Sequence, residues 1–462
     1  MGHHNLNDVS RAGRGGAHRA QWCRGLQMTD GTTRRVLANA GWMLGGQGMG
    51  AILSLLYLAL ATRTLGAAGF GTFSMVLAVS SAIGTLVAFQ SWQIVVHYGM
   101  DHLNAGREEE LGRLLWFCAA LDFFGMAVGS VASLVAIALL SGPFGWDATT
   151  MWSAAAFCVL TMMGIRSTPV GVLRLHDRFA IASGAETVAP VVKTLGAVAC
   201  WWLGTGIGPF LMVWGVADVI VAVAYWWLAA TRCGAPWRPG ARPSIDGVRR
   251  DNEGIWRYAL ATNATSSLKV GSRSVAILMV GWLAGPAAAG AYRICLQLSQ
   301  SATKVSQTIS RAVFPELARA RLAGDGDLGQ VVWRTTRMVG TIAGVAAVTL
   351  PLIGHPLLAV VGGGAYVSAY GALMVMGAAA VLEMTGSALE PALFASGRGG
   401  VALRAGILST ITTVCLMVPA TIAGGAWGAA WAVLAGTIVS FAMCAATVMT
   451  MVRGRTGATA VA

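Results

Sequence analysis

The sequence predicts an all-helical integral membrane protein with about twelve transmembrane helices. Of its 462 residues, 56% are hydrophobic and only 11% are charged, whereas a soluble domain has about 25% charged residues. Apolar stretches of ~20 residues, the length at which a helix crosses ~30 Å of hydrocarbon, recur along the chain. The predicted spans are 38–61, 72–95, 114–140, 150–173, 179–203, 208–230, 258–283, 290–314, 338–361, 369–394, 404–423 and 427–451.

The distribution of arginine predicts the orientation in the membrane. The net charge is +13, and with the N-terminus inside, the loop arginines fall on the cytoplasmic side, as the positive-inside rule requires. The opposite side has only Arg63. The basic excess therefore indicates topology and not nucleic-acid binding, and both termini are predicted to be cytoplasmic. Residues 1–37 are polar and Arg-rich and are expected to form a disordered tail, and residues 452–462 form a second tail.

Two halves of six helices are predicted, 38–230 and 258–451. The cytoplasmic linker between them, 231–257, contains three prolines and clustered arginines. A weak internal repeat supports this division: GAAGFGTF, Gly66 to Phe73, follows the first span, and GPAAAGAY, Gly285 to Tyr292, follows the seventh. Two parallel halves related by an axis along the membrane normal are a known architecture of transporters.

A polar stripe marks the eighth span. Its side chains recur at steps of three and four residues and so share one helix face; they are Arg293, Gln297, Gln300, Lys304, Gln307 and Arg311. The seventh span carries a similar stripe, formed by Thr262, Ser266, Lys269 and Arg273. Because an ionised side chain at the bilayer centre costs at least ~2.5–3.5 kcal/mol, these faces are predicted to line a wet, cationic cavity. Such a cavity favours an anionic substrate.

The candidate substrate-binding residues are Lys193, Lys269, Arg273, Arg293, Lys304, Gln297 and Gln300. The alternative interpretation is that the cations pair with carboxylates and stabilise the fold. Glu186 precedes Lys193 by seven residues on one face of span five, and a partner on another helix is also possible for each cation. Arg166 could likewise pair with Asp122 or Asp218, and Glu383 could pair with the cations of spans seven and eight.

Buried carboxylates are the candidates for ion coupling. Glu383 and Glu390 share one face of span ten, and Glu186 lies in span five. A carboxylate in a low-dielectric cavity can carry a proton, so these three are the possible coupling sites. The eight cysteines include no CxxC pair and the seven histidines no HExxH motif, so the sequence implies no metal site and no cofactor.

Several of these segments resemble one family of transporters. The first two spans carry an R-x-L-G-x-x-x-F-G turn, formed by Arg63, Leu65, Gly66, Phe70 and Gly71. The second half carries a G-x-x-x-x-G-x-Y turn, from Gly285 through Gly290 to Tyr292, and a Pro-terminated eighth helix at Pro315. The stretch GGGAYVSAYGAL, Gly362 to Leu373, matches a further turn. Over residues 36–451 the chain resembles the Wzx-like O-antigen and capsule flippases of the multidrug/oligosaccharidyl-lipid/polysaccharide (MOP) superfamily.

The resemblance implies two six-helix lobes around a central cavity in a bacterial inner membrane. It also implies movement of an undecaprenyl-diphosphate-linked glycan between leaflets, with this lipid-linked glycan, membrane lipids and other polysaccharide-assembly proteins as partners. The chain departs from the family in one respect: many relatives carry an acidic residue in the middle of span seven, where this chain has Lys269 and Arg273. A coupling-ion role of that acidic residue therefore does not carry over to this chain. The competing hypotheses are a drug or metabolite antiporter of the same fold, a membrane glycan polymerase or ligase, and a non-transporting partner in an export complex.

Overall fold

The computed structural model describes residues 30–233, 244–301, 328–387, 389, 393 and 399–459, and this part of the chain is almost entirely helical. We number the α-helices in chain order. They are α1 (Asp30–Val87), α2 (Ser91–Asn104), α3 (Glu108–Ser141), α4 (Ala148–Met163), α5 (Ser167–Leu175), α6 (Phe179–Trp202), α7 (Ile207–Arg232), α8 (Ile245–Asp251), α9 (Ile255–Ala284), α10 (286–301), α11 (Leu328–Gly362), α12 (Tyr370–Gly386) and α13 (Gly399–Thr459).

Each of the twelve predicted spans overlaps a helix of the described part. Two pairs of spans run on as single long helices interrupted by glycine: α1 breaks at Gly66, and α13 breaks at Gly424 and Gly425. Seven stretches of the described chain are long and apolar enough to cross a membrane, and two of these, at 53 and 51 residues, have the length of two crossings. Helix α1 begins at Asp30, within the segment predicted as a disordered tail.

Two predicted spans are not continuous helices. The span 72–95 is interrupted at 88–90 and resumes as α2, and the span 150–173 is interrupted at 164–166 and resumes as α5. Prediction from apolar composition missed both breaks, because each contains only one polar residue, Gln90 or Arg166, within a long apolar stretch. The two new helices begin at Ser91 and Ser167 and pack on each other so closely that a Cβ on Gly171 would lie 2.8 Å from Cα of Trp92.

A single buried carboxylate joins the two interrupted helices. Asp122 of α3 accepts a hydrogen bond from the Ser91 hydroxyl at 2.7 Å and from the backbone N–H of Thr168 at 2.7 Å. The N–H of Trp92 in turn donates to the Ser167 hydroxyl at 3.0 Å. The N-terminus of a helix carries free N–H groups and partial positive charge. Asp122 is fully buried and lies at two such ends.

The two lobes, α1–α7 and α9–α13, meet where the repeated segments lie, at what we call the Gly66 end of the bundle. Gly66 and Gly285 break their helices in nearly the same left-handed conformation, with φ 68° and ψ −178° against φ 87° and ψ 168°. Five residues further on, Gly290 would place a Cβ 3.2 Å from Cα of Gly71. A Cβ on Gly71 would overlap the carbonyl of Pro286. The repeat is therefore structural: corresponding glycines form the crossing point of the lobes.

Polar contacts reinforce this crossing. The Thr62 hydroxyl donates to Val361 O at 2.5 Å, and the Arg63 guanidinium donates to Val360 O at 2.9 Å. Both carbonyls lie in the last turn of α11, where no further helical N–H is available to bond to them. The positive charge of Arg63 at this C-terminus also interacts favourably with the helix dipole. Arg63 is the one arginine predicted on the side opposite the cytoplasm. Its side chain, from the N-terminal lobe, caps the C-terminus of α11 in the other lobe.

At the opposite end, the linker is docked on the N-terminal lobe. Val248 of α8 and Ile255 of α9 are buried in the same apolar cluster as Leu114 of α3. Asp251 forms an ion pair with Arg113 at 2.8 Å, and the imidazole of His102 hydrogen-bonds to the amide of Asn252 at 2.9 Å. The part of the predicted linker that the structure describes, 244–257, therefore packs against the helices that precede it.

Candidate functional site

The N-terminal lobe contains two cation–carboxylate pairs. The carboxylate of one of them, Glu186, was predicted to be buried, but its side chain is 54% exposed. The Lys193 ammonium lies 2.9 Å from Asp218 of α7, and the Arg166 guanidinium, at the break between α4 and α5, lies 3.6 Å from Glu186 of α6. For Lys193 the sequence offered Glu186 or a partner on another helix, and the second alternative is confirmed. For Arg166 it offered Asp122 or Asp218, and this assignment was wrong. Asp122 is bound by Ser91 and Thr168, and Asp218 is bound by Lys193.

Glu186 is also bound by a tyrosine. The Tyr225 hydroxyl donates to its carboxylate at 3.1 Å and to Ala182 O at 2.8 Å. The Arg166 guanidinium lies over the Tyr225 ring, 5.7 Å from its centroid, an arrangement that the ring quadrupole favours. This group of three side chains ties the break after α4 to helices α6 and α7.

The C-terminal lobe contains a third pair. Arg273 of α9 contacts Glu383 of α12 at 3.3 Å, which confirms the alternative interpretation of Glu383 as the partner of a span-seven cation. Both side chains remain 38% exposed, so this pair faces open space and is not sealed in the core. A substrate anion could reach Arg273 there only by competing with the carboxylate.

Arg293 differs from these three cations. It is partly buried in α10, and within the described part of the chain it has neither an ion pair nor a hydrogen bond. Its electrostatic neighbour is the phenol of Tyr57 in α1, on the other lobe, and Tyr57 in turn interacts with Asp218. The Tyr57 ring packs edge-on against Trp214, with 5.0 Å between centroids.

The remaining predicted residues are placed less completely. Gln297 and Gln300 lie in α10 beyond Arg293 and are partly buried. The backbone of Lys269 lies in α9, one turn before Arg273, but its side chain is outside the described part. Lys304 and Glu390 lie outside the described residues altogether.

Two residues of this interior were not selected from the sequence. Asp122 was noted as a buried carboxylate, but its role at two helix ends depends on breaks that composition does not predict. Tyr57 lies in an apolar segment, LSLLYLAL, where an isolated tyrosine carries no pattern. One feature of the sequence could have drawn attention to Tyr57. It lies in the first span, which the internal repeat makes equivalent to span seven, where the cations lie.

A charge-exchange experiment separates structural pairing from substrate binding at Arg273. Glu383→Gln leaves Arg273 without its carboxylate, and the loss of stability is expected to be about 1 kcal/mol, in the range measured for polar pairs in membrane proteins. The double variant Arg273→Glu with Glu383→Arg restores the pair and should restore the thermal midpoint. If Arg273 also contacts substrate, transport stays impaired in the double variant. Recovery of both properties would assign the pair to structure alone.

Comparison with known structures identifies the fold. The chain superimposes on an inward-facing multidrug resistance MATE family transporter of the MOP superfamily with a TM-score of 0.67 and 15% identity, over 88% of this chain and 95% of that one. It superimposes on the lipid II flippase MurJ, in an inward closed conformation, with a TM-score of 0.65 and 10% identity, over 88% and 87%. The protein is thus a multi-pass membrane protein with the fold of the MOP superfamily.

Sequence comparison gives the family within this class. Residues 36–321 match the model of the polysaccharide biosynthesis protein family, and the chain belongs to that family. A relative is inner membrane protein YghQ of Escherichia coli (strain K12), which is 28% identical over 351 residues, 74% of this chain and 96% of the relative.

Proposed function

We propose that the protein moves a polyprenyl-diphosphate-linked oligosaccharide repeat unit from the cytoplasmic to the periplasmic leaflet of a bacterial inner membrane. Membership of the polysaccharide biosynthesis family supports the glycan, and similarity in fold to a lipid II flippase supports a lipid-linked substrate. The observation that carries the proposal is Arg293, a cation of the span interior that has no carboxylate among the described residues. A diphosphate headgroup would neutralise it.

The paired cations have a second role in this proposal. Lys193 and Arg273 are each held by one carboxylate, so a diphosphate that binds either cation displaces Asp218 or Glu383. The cation stays neutralised throughout, and the displaced carboxylate then needs a proton or another cation in low dielectric. Lys269 and Lys304 add positive charge, and Gln297 and Gln300 donate hydrogen bonds to the glycan. The polyprenyl tail stays in lipid through a lateral opening between the lobes.

Alternating access follows from the two-lobe architecture. With both termini cytoplasmic, the Gly66 end faces the periplasm, and the contacts of Thr62, Arg63 and Gly71 close it. Rocking of the lobes breaks these contacts and opens the cavity outward. Of the candidate coupling carboxylates, Glu383 is freed when Arg273 engages the substrate, and Glu186 and Glu390 are the other two. Such a carboxylate would then be able to take up a proton or a cation.

Depletion of the protein in its host tests this function. We expect lipid-linked repeat units to accumulate, protected from a probe added outside the inner membrane, while surface polysaccharide falls. Mass spectrometry of polyprenyl-diphosphate glycans measures the first pool, and complementation with the wild-type gene is the control. Accumulated units that the outside probe reaches would assign the protein to a polymerase or ligase step, and two unchanged pools would favour the antiporter.

A further inference from the structure

The cytoplasmic half of α9, the seventh span, packs against the N-terminal lobe. Ile255 and Ala259 are buried in an apolar cluster whose other members come from α2, α3, α5, α6, α7 and the docked linker. Among the described residues, this cluster includes none from α10–α13. The Trp256 ring also packs edge-on against Phe117 of α3, with 5.2 Å between centroids. The sequence assigns this segment to the second half of the chain, but its apolar contacts belong to the first.

A layer of aromatic rings continues this contact on α2. The Tyr258 ring stacks on the His97 ring, with 4.6 Å between centroids and 8° between planes. Tyr98 meets the same Tyr258 ring edge-on at 5.8 Å, and its hydroxyl donates to Glu253 O at 3.1 Å. Both ring arrangements are the favoured geometries of aromatic pairs, so they hold α9 against α2 at a defined spacing.

Nearer the middle of the membrane, α9 caps the interrupted helix of the other lobe. The helix α1 ends before the break at 88–90, so no helical N–H follows for the carbonyls of Thr85 and Leu86. The Ser267 hydroxyl donates to Thr85 O at 2.7 Å, and the Asn263 amide donates to Leu86 O at 3.1 Å. Because an unsatisfied carbonyl is costly in a membrane, α9 stabilises this break while it stays docked.

The periplasmic half of α9 is held differently. Arg273 pairs with Glu383 of α12 at 3.3 Å. Val280 is fully buried in an apolar cluster that is built from both lobes. The helix therefore changes its partner between Ser267 and Arg273, from the N-terminal lobe to the C-terminal lobe.

We propose that α9 is the pivot of the transporter. Residues 252–267 move with the N-terminal lobe, and the C-terminal lobe rocks about a bend in α9 between Ser267 and Arg273, since a hinge needs only a few residues that absorb the change. This inference rests on the alternating access of the proposed function but not on the identity of the substrate. The boundary between the two moving bodies then lies inside a membrane span, and not in the cytoplasmic linker 231–257.

Spin labels at the cytoplasmic end of the full-length protein in lipid nanodiscs test the pivot. In a background without native cysteines, one pair joins α2 to α9 through Asp101→Cys and Arg257→Cys. The matched pair joins α2 to α11 through Asp101→Cys and Arg337→Cys, and all three side chains are exposed. Pulsed electron paramagnetic resonance measures both distances with and without Gly71→Ala, which cannot close the Gly66 end. We expect the distance to position 337 to shorten, while the distance to position 257 keeps its wild-type value.

Equal shifts in the two distances would overturn the pivot, because α9 would then move as part of the C-terminal lobe. Two unchanged distances would also overturn it, because no lobe would then move past α9. If Gly71→Ala does not fold, Thr62→Ala combined with Arg63→Ala takes its place, since it removes the polar contacts of the same end. Neither measurement uses a glycan, so the pivot and the proposed substrate can fail separately.

The two caps on α1 have a test of their own. Asn263→Ala combined with Ser267→Ala removes both hydrogen bonds, and at about threefold for each bond the ratio of docked to undocked α9 falls roughly tenfold. A second, longer distance should then appear between the labels at positions 101 and 257. Thr262→Ala is the matched control, because its hydroxyl donates within α9, to Tyr258 O at 2.9 Å. A single wild-type distance in the double variant would overturn the role of the caps in holding α9.

Discussion

Gly71→Ala is expected to abolish most transport, because it prevents the two lobes from meeting at the Gly66 end. A Cβ at this position would overlap the backbone carbonyl of Pro286 and lie 3.0 Å from the N–H of Ala287. A backbone carbonyl cannot rotate away as a side chain can, so α1 and α10 must separate. Overpacking of this kind costs about 1–3 kcal/mol. If this cost of about 3 kcal/mol applies only to the state in which the lobes meet at the Gly66 end, the population of that state falls by roughly a hundredfold.

The measurement combines transport with accessibility. In a background without native cysteines, a cysteine that replaces the buried Ala289 should react with a membrane-impermeant maleimide much faster when Gly71 is alanine. Gly142→Ala is the matched control: Gly142 ends a helix at the same end of the bundle, with φ −64° and no atom within 4 Å of the added Cβ. Wild-type labelling and transport in Gly71→Ala would show that the lobes do not need this contact.

Asp122→Ala is expected to cause the largest loss of stability among substitutions of a single polar side chain. It removes the acceptor of the Ser91 hydroxyl and of the Thr168 N–H, both at 2.7 Å, and so leaves one buried donor on α2 and one on α5 without a partner. At roughly 1–3 kcal/mol for each such donor, the expected loss is about 2–6 kcal/mol. Asp122→Asn keeps one acceptor oxygen and should lose about half as much.

Thermal unfolding of the purified variants in one detergent measures this loss. Asp101→Asn is the control, because Asp101 lies on α2 with an exposed side chain and its removal is expected to change the midpoint very little. If Asp122→Ala unfolded at the temperature of Asp101→Asn, the carboxylate would not hold the two interrupted helices together. A normal midpoint with lost transport would instead place Asp122 in the transport cycle.

The repeat illustrates how far the sequence predicts the fold. Gly66 and Gly285 could be matched because a helix break that needs a left-handed conformation selects glycine, and this requirement is local. The interruptions at 88–90 and 164–166 could not be predicted in the same way. They are stabilised by Asp122, which lies 31 residues from Ser91 and 46 residues from Thr168, and nothing near either break in the sequence marks this partner.

The candidate site, like the fold, could be predicted from the sequence only in part. Periodicity placed Arg293, Gln297 and Gln300 on one face of a helix, and the structure describes that helix over 286–301. Periodicity did not distinguish a cation that has no carboxylate partner among the described residues from a cation that has one. That distinction depends on which helices adjoin and on how each is rotated, and it separates Arg293 from Arg273, whose partner Glu383 lies 110 residues away.

By itself, the sequence determined that the chain is a membrane protein, the approximate positions of its membrane spans, and which side chains are too polar for lipid. These properties follow from the length, apolarity and period of single segments, which are local. Only the tertiary structure decided that Lys193 pairs with Asp218, that Arg166 pairs with Glu186, and that Arg63 caps a helix of the other lobe. Each of these pairings joins separate helices, and the free energy of a charge in low dielectric depends on the nearest opposite charge or donor in space.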